Sequence, residues 1–234
     1  MISEAIILAG GFGTRLKGAI KDIPKSMAPI NNKPFLEYIL RYLVQQNINH
    51  IILSVGYKHE IISNYFGDSF KSASIKYAIE DEPLGTGGGI FNAMNYLKND
   101  EAIIINGDTY FDVNLFDFYH FHITYCSELT LALKKMKNFE RYGSISLNNY
   151  RITSFQEKNF VEDGYINGGI YVCDKNTLYE KIKKEKFSFE KDFMEKYIDD
   201  LNIMGFTSNN YFIDIGIPED YERAQIELPK YYSV

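Results

Sequence analysis

Two glycine-rich stretches and two aspartates have the residue types and spacing for phosphate chemistry. The first stretch is LAGGFGTRL, residues 8–16, and it directly follows an apolar run. Glycines at the carboxyl end of a strand let backbone N–H groups approach a phosphate, which side chains would block. Arg15 and Lys25 add a guanidinium and an ammonium nearby. This combination favours a polyphosphate ligand, and the alternative is a tight turn with exposed basic residues.

Neither of the two common phosphate loops matches this stretch. A dinucleotide-binding GxGxxG that starts at Gly11 needs glycine where Leu16 stands. A Walker A loop that starts at Gly13 reaches Gly18 but then needs Lys-Ser/Thr, and the chain has Ala19-Ile20. A different kind of phosphate loop is therefore expected.

The remaining candidates lie at the ends of later strands. EDEPLGTGGG, residues 80–89, has three consecutive glycines, which indicate flat packing against a base or close backbone approach. Asp108 ends the run INGD, and Asp214 lies in IDIGIPED. Each aspartate alone is more often a helix cap or turn residue. Together, two carboxylates at strand ends can hold Mg²⁺ that also takes phosphate oxygens.

Hydrophobic periodicity predicts the elements that position these residues. In the first half it predicts strands at 4–9, 51–55, 74–79 and 101–106 and helices at 34–46, 58–66 and 88–97. Alternating strands and helices indicate a mostly parallel sheet with helices on both faces.

The second half has more strands. It is predicted to contain strands at 128–135, 143–148, 151–156, 166–173, 201–206 and 210–213 and helices at 114–125, 175–184, 188–199 and 218–227. Asn148-Asn149 is predicted as a hairpin turn. Since there is no linker or repeat, we expect a single domain over residues 1–234, with an α/β, doubly wound, mostly parallel but mixed sheet of Rossmann-like type.

Composition excludes several classes of protein. The 234 residues are 45% hydrophobic and 24% charged, with a formal net charge of −6, and no apolar run approaches a membrane helix. Basic residues are scattered, which argues against nucleic acid as a partner. The N-terminus lacks the features of a signal peptide. Cys126 and Cys173 lack metal or CxxC spacing, so reduced thiols and a cytoplasmic location are expected.

Eight stretches in a fixed order resemble the sugar-1-phosphate nucleotidyltransferases. They are LAGGFGTRL, PKSMAPI, KPFLEYIL, EPLGTGGGI, INGDTYFD, FQEK, INGGIYV and FIDIGIPEDYERA, and they run from residue 5 to about 224. Within this family the chain looks most like the D-glycero-α-D-manno-heptose 1-phosphate guanylyltransferases. The segment LGTGGGIFNAM also resembles the N-acetylmuramate 1-phosphate uridylyltransferases.

The resemblance implies an enzyme that joins a nucleoside triphosphate and a sugar 1-phosphate into a nucleotide sugar and pyrophosphate, with Mg²⁺ as cofactor. GTP and heptose 1-phosphate are the favoured substrates, and UTP, dTTP or CTP with another sugar remain alternatives. A product of this kind suggests capsule or surface polysaccharide assembly. A non-catalytic nucleotide-sugar sensor is the competing class, but it need not keep Arg15, Lys25, Asp108 and Asp214 together.

Residue roles follow from the same resemblance, with residues 1–112 as the nucleotide-binding half and residues 113–234 as the sugar-binding half. Lys25 would lie near the α-phosphate, Arg15 would hold the leaving pyrophosphate, and Asp108 and Asp214 would hold Mg²⁺. The other nucleotide-binding positions implied are Leu8, Gly10, Gly11, Gly13, Thr14, Glu80, Pro83, Gly85 and Thr86. The sugar-binding positions implied are Gly143, Glu157, Lys158, Asn167 and Gly168.

Two further points concern the base and the quaternary structure. Guanine presents adjacent N1–H and N2–H donors that one carboxylate can accept together, so an acid such as Glu80 or Glu82 favours GTP. The aromatic C-terminal residues Tyr231 and Tyr232 could pack on the body of the protein or on a second subunit, and a homodimer is left open.

Overall fold

The structure is a computed structural model that describes residues 2–11 and 22–232. The strands in these ranges are β1 (Glu4–Leu8), β2 (Pro29–Ile30), β3 (Lys33–Pro34), β4 (His50–Val55), β5 (Ser69–Phe70), β6 (Ala73–Ile79), β7 (Glu101–Asn106), β8 (Thr109–Phe111), β9 (Leu129–Phe139), β10 (Gly143–Asn148), β11 (Arg151–Lys158), β12 (Val161–Asp174), β13 (Ile203–Ser208) and β14 (Phe212–Asp214). The α-helices are α1 (Phe35–Gln45), α2 (His59–Phe66), α3 (Gly85–Met94), α4 (Leu115–Thr124), α5 (Lys175–Lys181) and α6 (Pro218–Glu227). Lys25–Met27 and Leu228–Tyr232 form 3₁₀ turns, and Phe189–Glu195 forms a π-helical segment.

A mixed sheet of ten of the described strands runs through both halves of the chain, in the order β10-β11-β13-β9-β12-β7-β1-β4-β6-β5. Strand β1 lies at its centre and pairs in parallel with β4 and β7, and β4 pairs in parallel with β6. Beyond β7 most pairs are antiparallel, except that β13 runs parallel to β9. The predicted α/β fold with a mixed sheet is confirmed, and most of its parallel pairing lies in the first half.

Helices cover both faces of the parallel part of the sheet. Alternate side chains of a strand point to opposite faces, and in β1 the apolar side chains of Ile6 and Ile7, on opposite faces, are both buried. In β1, Ile7 packs with Leu36 and Ile39 of α1 on one face, and Ile6 packs with Ile90 of α3 on the other. All five side chains are fully buried. Burial of one such side chain contributes about 1.5–3 kcal/mol, so this double packing holds the central strand rigidly.

Several elements differ from their predicted extents. Helix α3 begins at Gly85 instead of 88 and ends at Met94, α5 ends at Lys181 instead of 184, and the predicted helix at 188–199 is the π-helical segment at Phe189–Glu195. Strands β9 and β12 continue several residues past their predicted ends as a ribbon. Polar residues on both faces of that ribbon leave no alternating pattern to find. The short strands β2, β3, β5 and β8 have too few residues to show any periodicity.

The hairpin turn between β10 and β11 lies one residue later than predicted. Asn148 pairs with Arg151, so the two turn residues are Asn149 and Tyr150 instead of Asn148 and Asn149. Both turn residues have positive φ, 47° and 68°. This is the backbone conformation that a tight two-residue hairpin requires, and asparagine tolerates it well.

Three other expectations concern the surface and the chain ends. Among the helices of the described residues, none is long and apolar enough to cross a membrane. Cys126 is exposed, Cys173 is buried, and neither forms a disulfide. The ring of Tyr231 stacks on Tyr211 with centroids 4.6 Å apart, so this tail residue packs on the body of the protein.

Candidate functional site

A cavity of about 650 Å³ opens where β1, β4, β6 and β7 end at their carboxyl sides. Ligands bind at this edge in open parallel sheets, because the loops that follow the strands converge there. The predicted site residues that line the cavity are Leu8, Gly10, Gly11, Lys25, Glu80, Pro83, Gly85, Thr86 and Asp108. The nucleotide-binding residues placed in the first half by sequence therefore share one cavity wherever the structure describes them.

Gly13, Thr14 and Arg15 lie outside the described residues. Their proposed contacts with the triphosphate stay predictions.

Lys25 contacts both predicted metal-binding aspartates. Its Nζ lies 2.6 Å from Asp108 Oδ2 and 3.7 Å from Asp214 Oδ1. The lysine side chain is only 14% exposed, and its backbone N–H donates to the carbonyl of Gly11 at 3.3 Å. The 3₁₀ turn at Lys25–Met27 thus places the backbone of Lys25 beside Gly11 and its ammonium beside the carboxylate pair.

A short antiparallel ribbon brings together two aspartates that are far apart in sequence. Strand β8 pairs with β14, with Thr109 opposite Asp214, and the Ile215 N–H donates to the Asp108 carbonyl at 3.0 Å. Gly107 lets this ribbon leave β7 beside β1, because a Cβ at Gly107 would lie 2.5 Å from the carbonyl oxygen of Leu8.

The carboxylate pair is electrostatically suited to a cation. Burial and the negative charge of Asp108 raise the pKa of Asp214, while Lys25 and the backbone N–H of Gly216 oppose that rise. The Gly216 N–H donates to Asp214 Oδ1 at 2.8 Å. Among the described residues no group of three or more His, Cys, Asp or Glu side chains is arranged to hold a metal ion. A divalent ion here would take two protein carboxylates and complete its shell with phosphate oxygens and water, an arrangement typical of Mg²⁺.

Glu80 is held at the wall of the cavity by two hydrogen bonds. Ser54 Oγ donates to its Oε1 at 2.9 Å, and the N–H of Leu84 donates to its Oε2 at 3.0 Å. Gly10 and Gly89 both lie against this carboxylate. Each carboxylate oxygen has two lone pairs, so the contacts orient Glu80 and still leave it able to accept from a ligand. Glu82 lies on the same loop and is exposed.

Three of the four glycines of α3, Gly85, Gly87 and Gly88, allow close approach of the segment at 185–187. A Cβ at Gly87 would lie 2.2 Å from the ring of Phe187, and a Cβ at Gly88 would lie 2.3 Å from the Glu185 carbonyl oxygen. Gly85, with φ +79°, is equally close to the Phe187 carbonyl. The glycines therefore permit close approach within the protein, and flat packing against a base stays a prediction.

Thr86 is tied to the same neighbouring segment. Its hydroxyl donates to Glu190 Oε2 at 2.6 Å and accepts from the N–H of Phe189 at 3.0 Å. The residue still lines the cavity. The segment at 185–190 therefore supports the loop that forms this wall.

The predicted sugar-binding residues lie outside the cavity, on strands of the second half. Glu157 and Lys158 are exposed on β11, and Lys158 is opposite Gly143 of β10. Asn167 Nδ2 donates to the hydroxyl of Tyr171 at 3.0 Å, and its Oδ1 accepts from the Gly169 N–H. The structure places these residues on β10, β11 and β12, where β10 pairs with both other strands, and it does not bring them into contact with Lys25.

Gly168 is packed too tightly for any side chain. A Cβ there would lie 2.4 Å from the ring of Phe111 in β8. Gly168 thus lets β12 pack closely against β8, the strand that directly follows Asp108.

Sequence reasoning missed several cavity residues. Asn106, Ser54, Tyr57 and His59 also line the cavity. Asn106 lies in the INGD run, and the other three lie in or directly after β4. The rule that ligands bind beyond the carboxyl ends of strands could have found all four.

A second missed group lies beside Asp214. Burial and the charge of Asp214 raise the pKa of Tyr142 to about 12. Tyr142 follows Arg141, which forms an ion pair with Asp220 of α6. The sequence gives no local pattern for this contact, because Arg141 and Asp220 are 79 residues apart.

Comparison with known proteins agrees with the fold. A model of the nucleotidyl transferase family matches residues 4–230, and the chain belongs to this family. The D-glycero-alpha-D-manno-heptose 1-phosphate guanylyltransferase of Aneurinibacillus thermoaerophilus is 51% identical over 97% of this chain and 99% of its own length. The enzyme of the same name from Campylobacter jejuni is 50% identical over 93% of this chain and 96% of its own length.

A solved structure is similar over the whole fold. The crystal structure of HddC from Yersinia pseudotuberculosis gives a TM-score of 0.88 at 38% identity and covers 98% of this chain and 100% of its own. The same protein complexed with GMP-PN gives a TM-score of 0.85. Nucleotidyltransferases of this family generally use a divalent metal ion.

Proposed function

We propose that this protein transfers GMP from GTP to D-glycero-α-D-manno-heptose 1-phosphate and releases pyrophosphate and GDP-heptose. The observation that carries the proposal is the identity of about half to two heptose 1-phosphate guanylyltransferases along nearly their full lengths. The complex of HddC with GMP-PN supports a guanine nucleotide as the donor.

The proposed reaction needs no base to create the nucleophile. A phosphate monoester carries a charge of about −1.5 to −2 at neutral pH, so its oxygen can attack directly. The bond from this oxygen to the α-phosphorus forms, and the bond from the α-phosphorus to the bridging oxygen of pyrophosphate breaks. The protein must hold two anions in line and neutralise the developing charge.

Lys25 is the described cation best placed for this role. Its ammonium is mostly buried and lies between two carboxylates at the cavity wall. A fixed cation in a site of low dielectric stabilises charge more than it would in water. Lys25 would therefore contact the α-phosphate, while Arg15 and the backbone of Gly10, Gly11, Gly13 and Thr14 hold the other phosphates.

Asp108 and Asp214 would hold Mg²⁺. When bound, the ion would offset the negative charge of the reacting phosphates. The two aspartates would orient it from the ribbon of β8 and β14.

We assign nucleotide binding to residues 1–112 and sugar binding to residues 113–234. Leu8, Pro83, Gly85 and Thr86 would contact the nucleoside from the cavity wall. Lys158 would bind the sugar phosphate and Glu157 a sugar hydroxyl, with Gly143, Asn167 and Gly168 lining the sugar pocket. The free thiols suit the reducing cytoplasm.

A matrix of GTP, UTP, CTP and dTTP against several sugar 1-phosphates tests the substrates, with pyrophosphate release as the signal. We expect the highest kcat/KM for GTP with heptose 1-phosphate. A clear preference for UTP with N-acetylmuramate 1-phosphate would overturn the choice of substrates. No Mg²⁺-dependent pyrophosphate release with any pair would contradict catalysis itself and favour a nucleotide-sugar sensor.

Glu80→Gln tests the choice of base. Removal of the carboxylate should lower kcat/KM for GTP by roughly 10- to 100-fold, since bidentate recognition of one base contributes about 1–3 kcal/mol. Asp81→Asn is the matched control, because it removes one charge from the same loop at an exposed position. Equal effects of the two variants would show that Glu80 does not recognise guanine.

A further inference from the structure

Asp220 is a buried carboxylate on the helix that follows Asp214. It lies in the first turn of α6 and is 6% exposed. Arg141 donates to its Oδ2, and Arg223 Nη1 lies 2.9 Å from its Oδ1. A buried carboxylate is stable only when its oxygens are paired, so these arginines are firmly held.

Arg141 connects Asp220 of α6 with the β-sheet. It lies in the turn between β9 and β10, and its Nη2 also donates to the hydroxyl of Tyr142 at 3.1 Å. The guanidinium carbon lies 5.3 Å from the centre of the Tyr142 ring. One guanidinium therefore connects α6 with the turn and restrains the aromatic side chain that follows it.

Tyr142 packs beside the strand that carries the proposed metal-binding aspartate. Its ring lies edge-on to Phe212, two residues before Asp214, with centroids 6.1 Å apart. Gly143, the first residue of β10 and a proposed sugar-binding residue, comes directly after Tyr142. These contacts form a closed path from Asp214 through α6 and Arg141 back to the turn beside Asp214.

We propose that Arg141, anchored by Asp220, is a positioning residue that sets the sugar-binding turn against the aspartate pair. It acts through Tyr142 and the start of β10 and does not touch the reacting atoms. The inference rests on the proposed function in one respect, namely that the sugar 1-phosphate binds beside the turn between β9 and β10. Because in-line attack is sensitive to displacements of about 1 Å, loosening the turn should lower the rate without loss of the nucleotide site.

Arg141→Lys is the direct test, since lysine keeps the charge and cannot bridge Asp220 and Tyr142 in the same planar geometry. We expect kcat/KM for the sugar 1-phosphate to fall by roughly 10-fold or more, with a raised KM for that substrate. The Kd for the nucleoside triphosphate, measured by calorimetry, should stay within about 2-fold, because the proposed nucleotide residues lie on other loops. Activity is measured with the best substrate pair of the matrix, so another nucleotide or sugar preference leaves this test intact.

Arg223→Lys is the matched control. Arg223 contacts the other oxygen of the Asp220 carboxylate, and it donates to Glu227 and to the Phe212 carbonyl. Among the described residues it makes no contact with the turn, so its replacement should leave the KM for the sugar 1-phosphate unchanged. A second control, Tyr142→Phe, removes the hydroxyl that Arg141 contacts. If Arg141 acts through Tyr142, the double variant should be no worse than the more impaired single variant.

Any one of four results would overturn the inference. The first three are equal kinetic effects of Arg141→Lys and Arg223→Lys, additive losses for Arg141→Lys and Tyr142→Phe, and a Kd for the nucleotide that weakens as much as the sugar KM rises. A lowered melting temperature with unchanged KM values would assign the ion pair to stability alone and would also overturn it.

Discussion

The two halves of the molecule build their parts of the site in different ways. In the first half, loops at the ends of parallel strands converge on one cavity, and glycines let them pack closely. In the second half, the proposed sugar-binding residues lie along antiparallel strands, and Glu157 and Lys158 are exposed. The described part of the proposed nucleotide wall is thus held by close packing within the protein, whereas the proposed sugar side has long-range contacts such as the ion pair between Arg141 and Asp220.

The largest effect is expected for substitutions of Lys25 and Asp108, the proposed catalytic residues at the cavity. Lys25→Ala or Asp108→Asn should lower kcat by roughly 100-fold or more, because each removes a charge contact to the reacting groups. Single-turnover pyrophosphate release measures the loss, and circular dichroism checks that the fold is kept. Lys33→Ala is a suitable control, since that lysine lies on the surface away from the cavity. Near-wild-type turnover in both active-site variants would remove the proposed mechanism.

Close packing in the first half predicts a large effect on stability. Gly87→Ala should destabilise the fold by about 1–3 kcal/mol, because its Cβ would overlap the ring of Phe187. The free energy of unfolding in urea measures it. Phe187→Leu in the same chain should relieve part of the loss, whereas it should not rescue Gly88→Ala, whose obstacle is the backbone carbonyl of Glu185. Equal rescue of both variants would show that the ring is not the obstacle.

A smaller and more selective effect is expected on the sugar side. Lys158→Ala should raise the KM for the sugar 1-phosphate by roughly 5-fold, since an exposed ionic contact to phosphate contributes at most about 1 kcal/mol. The KM for GTP and the melting temperature should be unchanged. Lys137→Ala, at an exposed position of β9, provides the comparison. A rise in the GTP KM instead would place Lys158 on the nucleotide.

The smallest effect concerns the contacts of Glu101, in the first half of the chain, with Tyr119 and His122 in the second half. His122 and Tyr119 of α4 lower the pKa of Glu101 in β7, despite opposing burial. The ionised carboxylate therefore stabilises the fold fully above its ordinary pKa of about 4.5, and this contribution is lost as the pH falls through the lowered folded value. Glu101→Gln should lose less melting temperature than the wild type when the pH is lowered across this range. The same loss in both proteins would contradict the assignment.

Local patterns predict the central sheet and the cavity residues that follow its strands. Strand β1, the glycines after it, Lys25 and Asp108 could all be placed because apolar runs and turn residues report directly on the parallel core. The same rule would have found Ser54 and Asn106 had it been applied to every strand end.

Long-range contacts could not be predicted in this way. The ion pair between Arg141 and Asp220 joins residues whose own neighbours show no pattern, and only the folded sheet brings them together. The role of Gly87 likewise depends on Phe187, 100 residues later. The π-helical segment that follows was predicted as an ordinary helix, because periodicity over seven residues does not separate the two types.

The ribbon between β8 and β14 has a consequence for the order in which the molecule is made. During synthesis the ribosome releases Asp108 long before Asp214, so a nascent chain that already contains all of the nucleotide half has one member of the carboxylate pair. Only when the later strand emerges and pairs with the earlier one does the growing polypeptide acquire its full charge arrangement.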